Sequence, residues 1–212
     1  MKLKRFFEEY FIKKRYIFSV TESDVDFSDT DCLPENLTID FYNIQSVTKE
    51  NFHDLLKQIV PDNLLERYAS RYENNENWKL LVAYYGEKPI GCNWILNIPA
   101  DNFLFDSFVH STQNILLGNF FVIEAFRGKG INKLLVKKAL TYIFENHKNK
   151  IPVFIVERSN ISSIKSSKGI GAKIIGVNYL VKFLKRNIIS VFIQGEKVEN
   201  IWFLWRYNQT IF

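Results

Sequence analysis

The segment Phe120 to Leu135, FFVIEAFRGKGINKLL, constrains this chain more than any other. A β-type apolar run ending at Val122 passes into Arg127-Gly128-Lys129-Gly130, and a helix-periodic stretch follows at once. The pattern predicts a strand, a glycine turn and a helix whose first turn carries backbone N–H groups with no intrahelical partner. Those donors, with the positive end of the helix dipole, make an anion site, and the glycines let a phosphate approach the backbone with no Cβ in the way. A bare Gly-x-Gly between strand and helix also occurs as an ordinary turn, so its flanks must decide.

The flanks carry a resemblance. The stretch resembles the acetyl-CoA-binding motif of the GNAT superfamily of N-acetyltransferases: a strand ending in an apolar residue, Arg or Gln five residues on, then x-x-Gly-x-Gly/Ala. Here Val122 ends the strand, Arg127 opens the turn, Gly130 is the first motif glycine, and Asn132 stands where the family prefers Gly or Ala. Downstream, Asn160-x-x-Ser163-Ile164-Lys165 and Lys168-Gly169-Ile170-Gly171-Ala172 look like the family's Asn-x-x-Ser/Ala helix and its Lys-x-Gly-Phe ending, with Gly171-Ala172 in place of Gly-Phe. Two motifs in the right order are more specific than either alone. The resemblance spans roughly residues 41–184. It implies an α/β (α+β) fold: a mixed, mainly antiparallel central sheet flanked by helices and splayed between two parallel central strands. It also implies an acetyl-CoA-dependent N-acetyltransferase; a cytoplasmic setting is expected separately, from the lack of a membrane span and of a secretion signal in the sequence.

Composition narrows the rest. A chain of 212 residues suits one domain with an appendage, and 47% hydrophobic residues with 19 Phe exclude disorder for most of it. Cys32 and Cys92 are the two cysteines, with no Cys-x-x-Cys and no neighbouring His, so they read as buried reduced thiols and no metal is expected. No apolar run approaches the roughly 18 residues of a membrane span, and Glu8 and Glu9 interrupt what a signal peptide would need as its apolar region. Residues 1–20 hold six basic and two acidic side chains of a chain with net charge +5. The remainder is close to neutral, which argues against a nucleic-acid-binding face.

Leu3, Phe6, Phe7, Tyr10 and Phe11 share one helical face, and Tyr16, Phe18 and Val20 alternate as a short strand. Residues 1–36 thus read as an N-terminal extension, an amphipathic helix plus short strand packed on the core. Residues 37–212 read as the acetyltransferase domain with extra C-terminal strands. The apolar helix face, beside Lys13, Lys14 and Arg15, would also suit peripheral contact with an anionic membrane; Glu8, Glu9 and its short length favour packing. A strand is expected over 38–47. Thr48 N-caps a helix bearing Phe52, Leu55, Leu56 and Ile59, and a second helix after Pro61-Asp62 carries Leu64, Leu65, Tyr68 and Tyr72. A polar loop over 73–77, a hairpin of strands 78–85 and 89–98, and an aromatic loop over 99–112 follow. The glycine turn leads into a helix with Ile131, Leu135 and Ala139 inward. Next come a buried strand 153–156, a helix 160–168 and strands near 172–184, 188–194 and 200–207.

Acetyl transfer from a thioester to an amine needs a polarised carbonyl, a neutral amine and close positioning. The resemblance implies that main-chain groups of Phe120, Phe121 and Val122 hold pantetheine. It places the pyrophosphate on the N–H groups of Gly128, Lys129, Gly130, Ile131, Asn132 and Lys133, with Asn160 and Ser163 completing the cofactor site. Arg127 either braces the turn or binds phosphate, and Lys129 and Lys133 either add charge or are simply solvated. A lysine-like amine is about one part in 2,500 neutral at pH 7, a penalty of roughly 4.6 kcal/mol, so a base is useful. Glu157, at the end of the buried strand, is the best carboxylate, although it could equally pair with Arg158 or Lys165 on the surface. Glu124 would repel the pyrophosphate and ranks lower. The family's frequent glutamate position holds Ile155, and its tyrosine acid position, seven residues after the helix Asn, holds Ser167. Tyr179 can approach from the next strand, though a packing role competes. His53, His110 and His147 have no partner nearby in sequence and read as structural. The expected partners are acetyl-CoA and a small primary amine, with no nucleic acid; a homodimer is compatible with the chain. Similar GNAT proteins with aromatic, strand-rich C-termini include amino-sugar acetyltransferases, which puts an amino sugar first, ahead of peptide N-acetylation or detoxification. The competing class is a CoA-binding scaffold without catalysis, suggested by Ser167 and Ile155.

Overall fold

The structure, a computed structural model, describes residues 12–28, 35–97, 113–183, 186–194 and 197–203. The elements run β1 (Ile12–Ser19), β2 (Leu37–Tyr42), α1 (Lys49–Lys57), α2 (Asp62–Ala69), β3 (Trp78–Tyr85), β4 (Lys88–Asn97) and β5 (Asn114–Val122). They continue with α3 (Ile131–Asn146), β6 (Ile151–Glu157), α4 (Ile161–Gly169), β7 (Lys173–Phe183), β8 (Arg186–Gln194) and β9 (Lys197–Phe203). Among the described residues nine strands make one sheet, in the order β2-β3-β4-β5-β6-β1-β7-β8-β9. The β5–β6 pair is parallel and the other pairs are antiparallel.

Helices cover both faces of the middle of the sheet, so β4 is buried at every position but its ends. Its side chains divide mainly between two cores, with Ile90 the extra residue of a bulge opposite Ala83 and Tyr84. Ile90 and Ile95 meet Leu135, Ala139 and Ile143 of α3, while Cys92 and Trp94 meet Phe52 and Leu56 of α1 and Leu65 and Tyr68 of α2. Burial pushes the Cys92 thiol up to about 12, so it is an inert core group. Thr48 caps α1 by accepting from the Asn51 N–H at 3.2 Å, and the Leu64 N–H donates to the Pro61 carbonyl at 2.8 Å as α2 begins. β2 stops at Tyr42, short of the expected Val47, because the Asn43 side chain accepts from the Gln45 N–H and starts a 3₁₀ turn over Ile44–Ser46. The expected polar loop after α2 is a 3₁₀ run, Ser70–Asn77.

β1 is the largest departure from the sequence reading of its surroundings. It begins at Ile12 and lies inside the sheet, pairing with β6 (Arg15↔Glu157, Tyr16↔Val156) and with β7 (Lys14↔Tyr179). Ile17 and Phe18 are fully buried. A chain-distant strand thereby saturates the backbone edge of β6 that the strand after α4 would otherwise meet. The turn after β1 is seated on Gly171, whose φ of +90° is glycine territory and where a Cβ would lie 2.1 Å from the Asp24 carbonyl oxygen. Asp24 also accepts from Lys173 Nζ at 2.7 Å. Of the helix expected over 3–12, all but Ile12, which is strand, lies outside the described residues, as do the aromatic loop 99–112, the end of the last strand, Cys32 and His110.

Candidate active site

Parallel pairing of β5 with β6 runs from Asn114↔Ile151 to Leu117↔Phe154 and goes no further. Beyond it β5 stays with β4, and β6 stays with β1. A bulge drives the parting. The β4–β5 register passes from Trp94↔Gly118 to Cys92↔Phe121, and Asn119 within it has φ +56°. The strands enclose a cavity of about 250 Å³. Gly118 to Phe121 of β5 form one wall, and Ile155, Val156 and Glu157 of β6 the other. α4 adds Asn160, Ser163, Ser166 and Ser167, α3 adds Asn132 and Val136, and α2 adds Tyr68. Among the described residues, both edges facing the cavity carry backbone groups with no strand partner there, which suits an amide-bearing chain entering as an added strand would.

The glycine turn lies at the start of α3. Gly128 and Gly130 have φ of +75° and +79°, and no atom lies within 4 Å of where a Cβ would be at either. Gly130 is the N-cap, without a side-chain cap, and no acid occupies the first turn of α3. The open N–H groups and bare approach therefore fit a phosphate. Arg127 braces the turn, its Nε donating to the Val122 carbonyl at 3.0 Å, and Lys129 Nζ sits 4.8 Å from the Phe126 ring centroid. Ile131 is buried, while Lys133 is half-buried. Asn132 reaches across to α4, its Nδ2 donating to Ser166 Oγ at 3.2 Å, and leaves a buried Oδ1 with no partner. Phe120 and Val122 pack against the α3 core and Phe121 against the α1–α2 core, so what these three offer the cavity beyond packing is backbone.

On the other wall Asn160 caps α4, accepting from the Ser163 N–H at 3.0 Å. Glu157 lines the cavity, and its Oε1 pairs with Lys13 Nζ. That partner comes from β1, whereas the sequence pointed to Arg158 or Lys165. β1 stands between β6 and β7, so the next strand in sequence is not the next in space, and Tyr179 is not among the residues that line the cavity. Its ring lies 5.4 Å from Lys14 Nζ. Glu124 is exposed and outside the cavity wall, while Ile155 and the buried Ser167 are within it. His53 meets the Glu66 carboxylate at 3.2 Å, and His147 packs against Tyr142 with its pKa lowered by burial. Neither lines the cavity. Among the described residues no group of three His, Cys, Asp or Glu side chains could hold a metal.

Tyr68 and Asn119 are among the cavity residues that escaped the sequence reading. Tyr68 was assigned to the apolar face of α2, and its ring is there, but its hydroxyl donates to Asn119 Oδ1 at 2.5 Å. Behind it the Arg71 guanidinium lies 4.3, 3.8 and 4.7 Å from the ring centroids of Tyr68, Trp78 and Trp94, and burial pushes it down to about 9. Burial raises the Tyr68 phenol, and the Arg71 and Arg67 charges oppose that shift. No local signal in the sequence marks Asn119, because its left-handed conformation follows from the bulge.

Solved structures share this architecture. A Drosophila protein matches with TM-score 0.58 and 17% identity over 82% of this chain and 52% of its own. A glucosamine N-acetyltransferase region of a fungal multi-domain GH3 β-N-acetylglucosaminidase gives 0.57 and 14% over 82% and 21%. A GCN5-related N-acetyltransferase from Sphaerobacter thermophilus gives 0.55 and 14% over 84% and 54%. The chain thus spans little more than half, or less, of the length of each, and the likeness is one of fold. No curated protein sequence matches the chain. The sequence itself matches the Acetyltransferase (GNAT) family over residues 40–173, from β2 through both glycine-bearing turns. The split sheet and its uncapped helix are therefore those of a chain that belongs to the GNAT family of acetyltransferases.

Proposed function

We propose that this chain transfers the acetyl group of acetyl-CoA to the primary amine of a small acceptor, with an amino sugar as the first to test. The observation that carries the reading is the parting of β5 from β6 beside the uncapped, glycine-led start of α3. Gly128 to Lys133 offer N–H groups for the pyrophosphate, each charge-assisted bond contributing about 1.5–3 kcal/mol. Asn132 Oδ1, Asn160 and Ser163 face the amide-bearing arm, and the Phe120–Val122 backbone polarises the acetyl oxygen. Glu157 takes the amine proton, directly or through water. Bound acetyl-CoA supplies the activated acetyl group. The fungal fold relative described as a glucosamine N-acetyltransferase region sets the order of acceptors to test. The reading includes a cytoplasmic setting and a homodimer. It is tested by thiol release from acetyl-CoA across a library of amines that includes amino sugars, peptides and polyamines.

The second reading, a CoA-binding scaffold, is favoured by one arrangement: Glu157 is tied to Lys13, while Ile155 and Ser167 occupy two usual catalytic positions. Tight CoA binding with no turnover of any amine would select it.

A further inference from the structure

Glu157 is the one acid among the described residues that line the cavity, and its carboxylate already holds a primary amine. That amine is Lys13 Nζ, which donates to Glu157 Oε1. Strand register puts it there. Arg15 of β1 stands opposite Glu157, the last residue of β6, and Lys13 lies two residues further along β1 on the same face. A diagonal neighbour at that spacing is within reach of a long side chain. The pair is not walled in: its side chains are 32% and 45% exposed, and the lysine amine rides a flexible stem. Lys14, the next residue, takes the opposite face, its Nζ 5.6 and 5.4 Å from the Tyr16 and Tyr179 ring centroids. Elsewhere Lys49 meets Glu73 and Lys173 meets Asp24, acids that are not among the residues lining the cavity.

We propose that Lys13 is an acetylation site that this chain modifies itself, its ε-amine taking the acetyl group of acetyl-CoA when no external acceptor is present. The inference rests on the acetyltransferase reading above, in which Glu157 takes the acceptor's proton. The amine already held by Glu157 then stands where an acceptor amine must stand. Glu157 takes the first proton of the Lys13 ammonium, and the neutral Nζ bonds to the acetyl carbon. The C–S bond breaks with its electron pair going to sulfur, and the second amine proton passes through solvent to that sulfur. Ammonium plus thioester thus gives amide, thiol and the proton on Glu157. The amide carries no charge, so modification dissolves the ion pair. An external amine competes with Lys13 for the same carboxylate and the same acetyl group, which makes self-modification a property of the idle protein. Chemical acetylation treats Lys13 and Lys14, both partly exposed, alike; the Glu157 contact distinguishes them.

The test incubates the full chain with acetyl-CoA and no amine, then locates the label by intact mass and fragment-ion sequencing. A single acetyl group is expected at Lys13, with Lys14 labelled at least about tenfold more slowly. The rate per molecule should not change on dilution of the protein, as transfer within one chain requires. Lys13→Arg keeps the cation and should lose the label. Glu157→Gln should slow labelling about tenfold or more, while CoA affinity by calorimetry stays within about twofold. An amine that the protein turns over in the screen should protect Lys13. If such an amine is turned over but Lys13 is labelled no faster than Lys14, or as fast in Glu157→Gln, the role of Lys13 alone is overturned. A rate per molecule that rises with protein concentration overturns transfer within the chain. A wild type that binds CoA and acetylates neither Lys13 nor any amine overturns the acetyltransferase reading, and this inference with it.

Discussion

The two walls of the cavity are built differently. The β5 wall runs without interruption from Gly118 through the glycine turn to Lys133, so strand, glycine turn and helix start are one local segment. The β6 wall ends at Glu157, whose ionic partner Lys13 lies on β1 at the far end of the chain. The wall proposed for the cofactor thus depends on backbone conformation that neighbouring residues dictate, while the wall proposed for the acceptor depends on which distant strand completes the sheet. Damage to the first should alter cofactor binding with little effect on folding. Damage to the second should reach stability or turnover first.

Gly171→Ala tests the second wall most severely. A Cβ there meets the Asp24 backbone at 2.1 Å in a left-handed conformation, so about 3 kcal/mol of stability should go, roughly 6–12 °C in Tm. Calorimetry on the remaining folded protein should find CoA affinity unchanged; a parallel loss of affinity would mean that the two walls are not separable. Glu157→Gln should lower kcat by about a hundredfold with little change in acetyl-CoA binding. An unaltered pH–rate profile would strike Glu157 from the possible bases.

On the first wall, Gly130→Asp should weaken acetyl-CoA binding at least tenfold, about 1.4 kcal/mol, because it sets a carboxylate where phosphates approach. Gly130 has φ +79°, so an aspartate there also carries left-handed strain of about 1 kcal/mol, and the melting temperature should fall by a few degrees. Undiminished affinity would remove the cofactor site from this segment. Lys13→Ala has the smallest expected effect. The ion pair is partly exposed on both sides (32% and 45%), so its removal should cost under about 1 kcal/mol and leave turnover within about threefold. A larger fall in kcat would show that β1 positions Glu157 for chemistry.

The elements with strong local signals were legible. Thr48 and Pro61 mark the starts of α1 and α2, Gly86 the turn of the β3–β4 hairpin, and Gly130 the start of α3, because a cap or a left-handed turn is decided within four residues. Tyr68 was legible only as a core residue: helical periodicity tells which face a side chain takes and says nothing of what its hydroxyl will meet.

By itself the sequence determined the glycine turn, the helix start behind it, the mainly antiparallel sheet with its parallel central pair, and the family. The glycine turn and the helix start follow from periodicity and turn chemistry, while the sheet and the family follow from the resemblance that the motifs carry. Only the tertiary structure decided that β1 lies between β6 and β7, which gives Glu157 its lysine and sets Tyr179 apart from the cavity. It alone decided that the β5 bulge brings Asn119 to Tyr68. The physical reason is that strand pairing joins residues of any separation through identical backbone groups. No local pattern names the partner, and the edge of β6 accepts whichever strand buries the most apolar surface beside it.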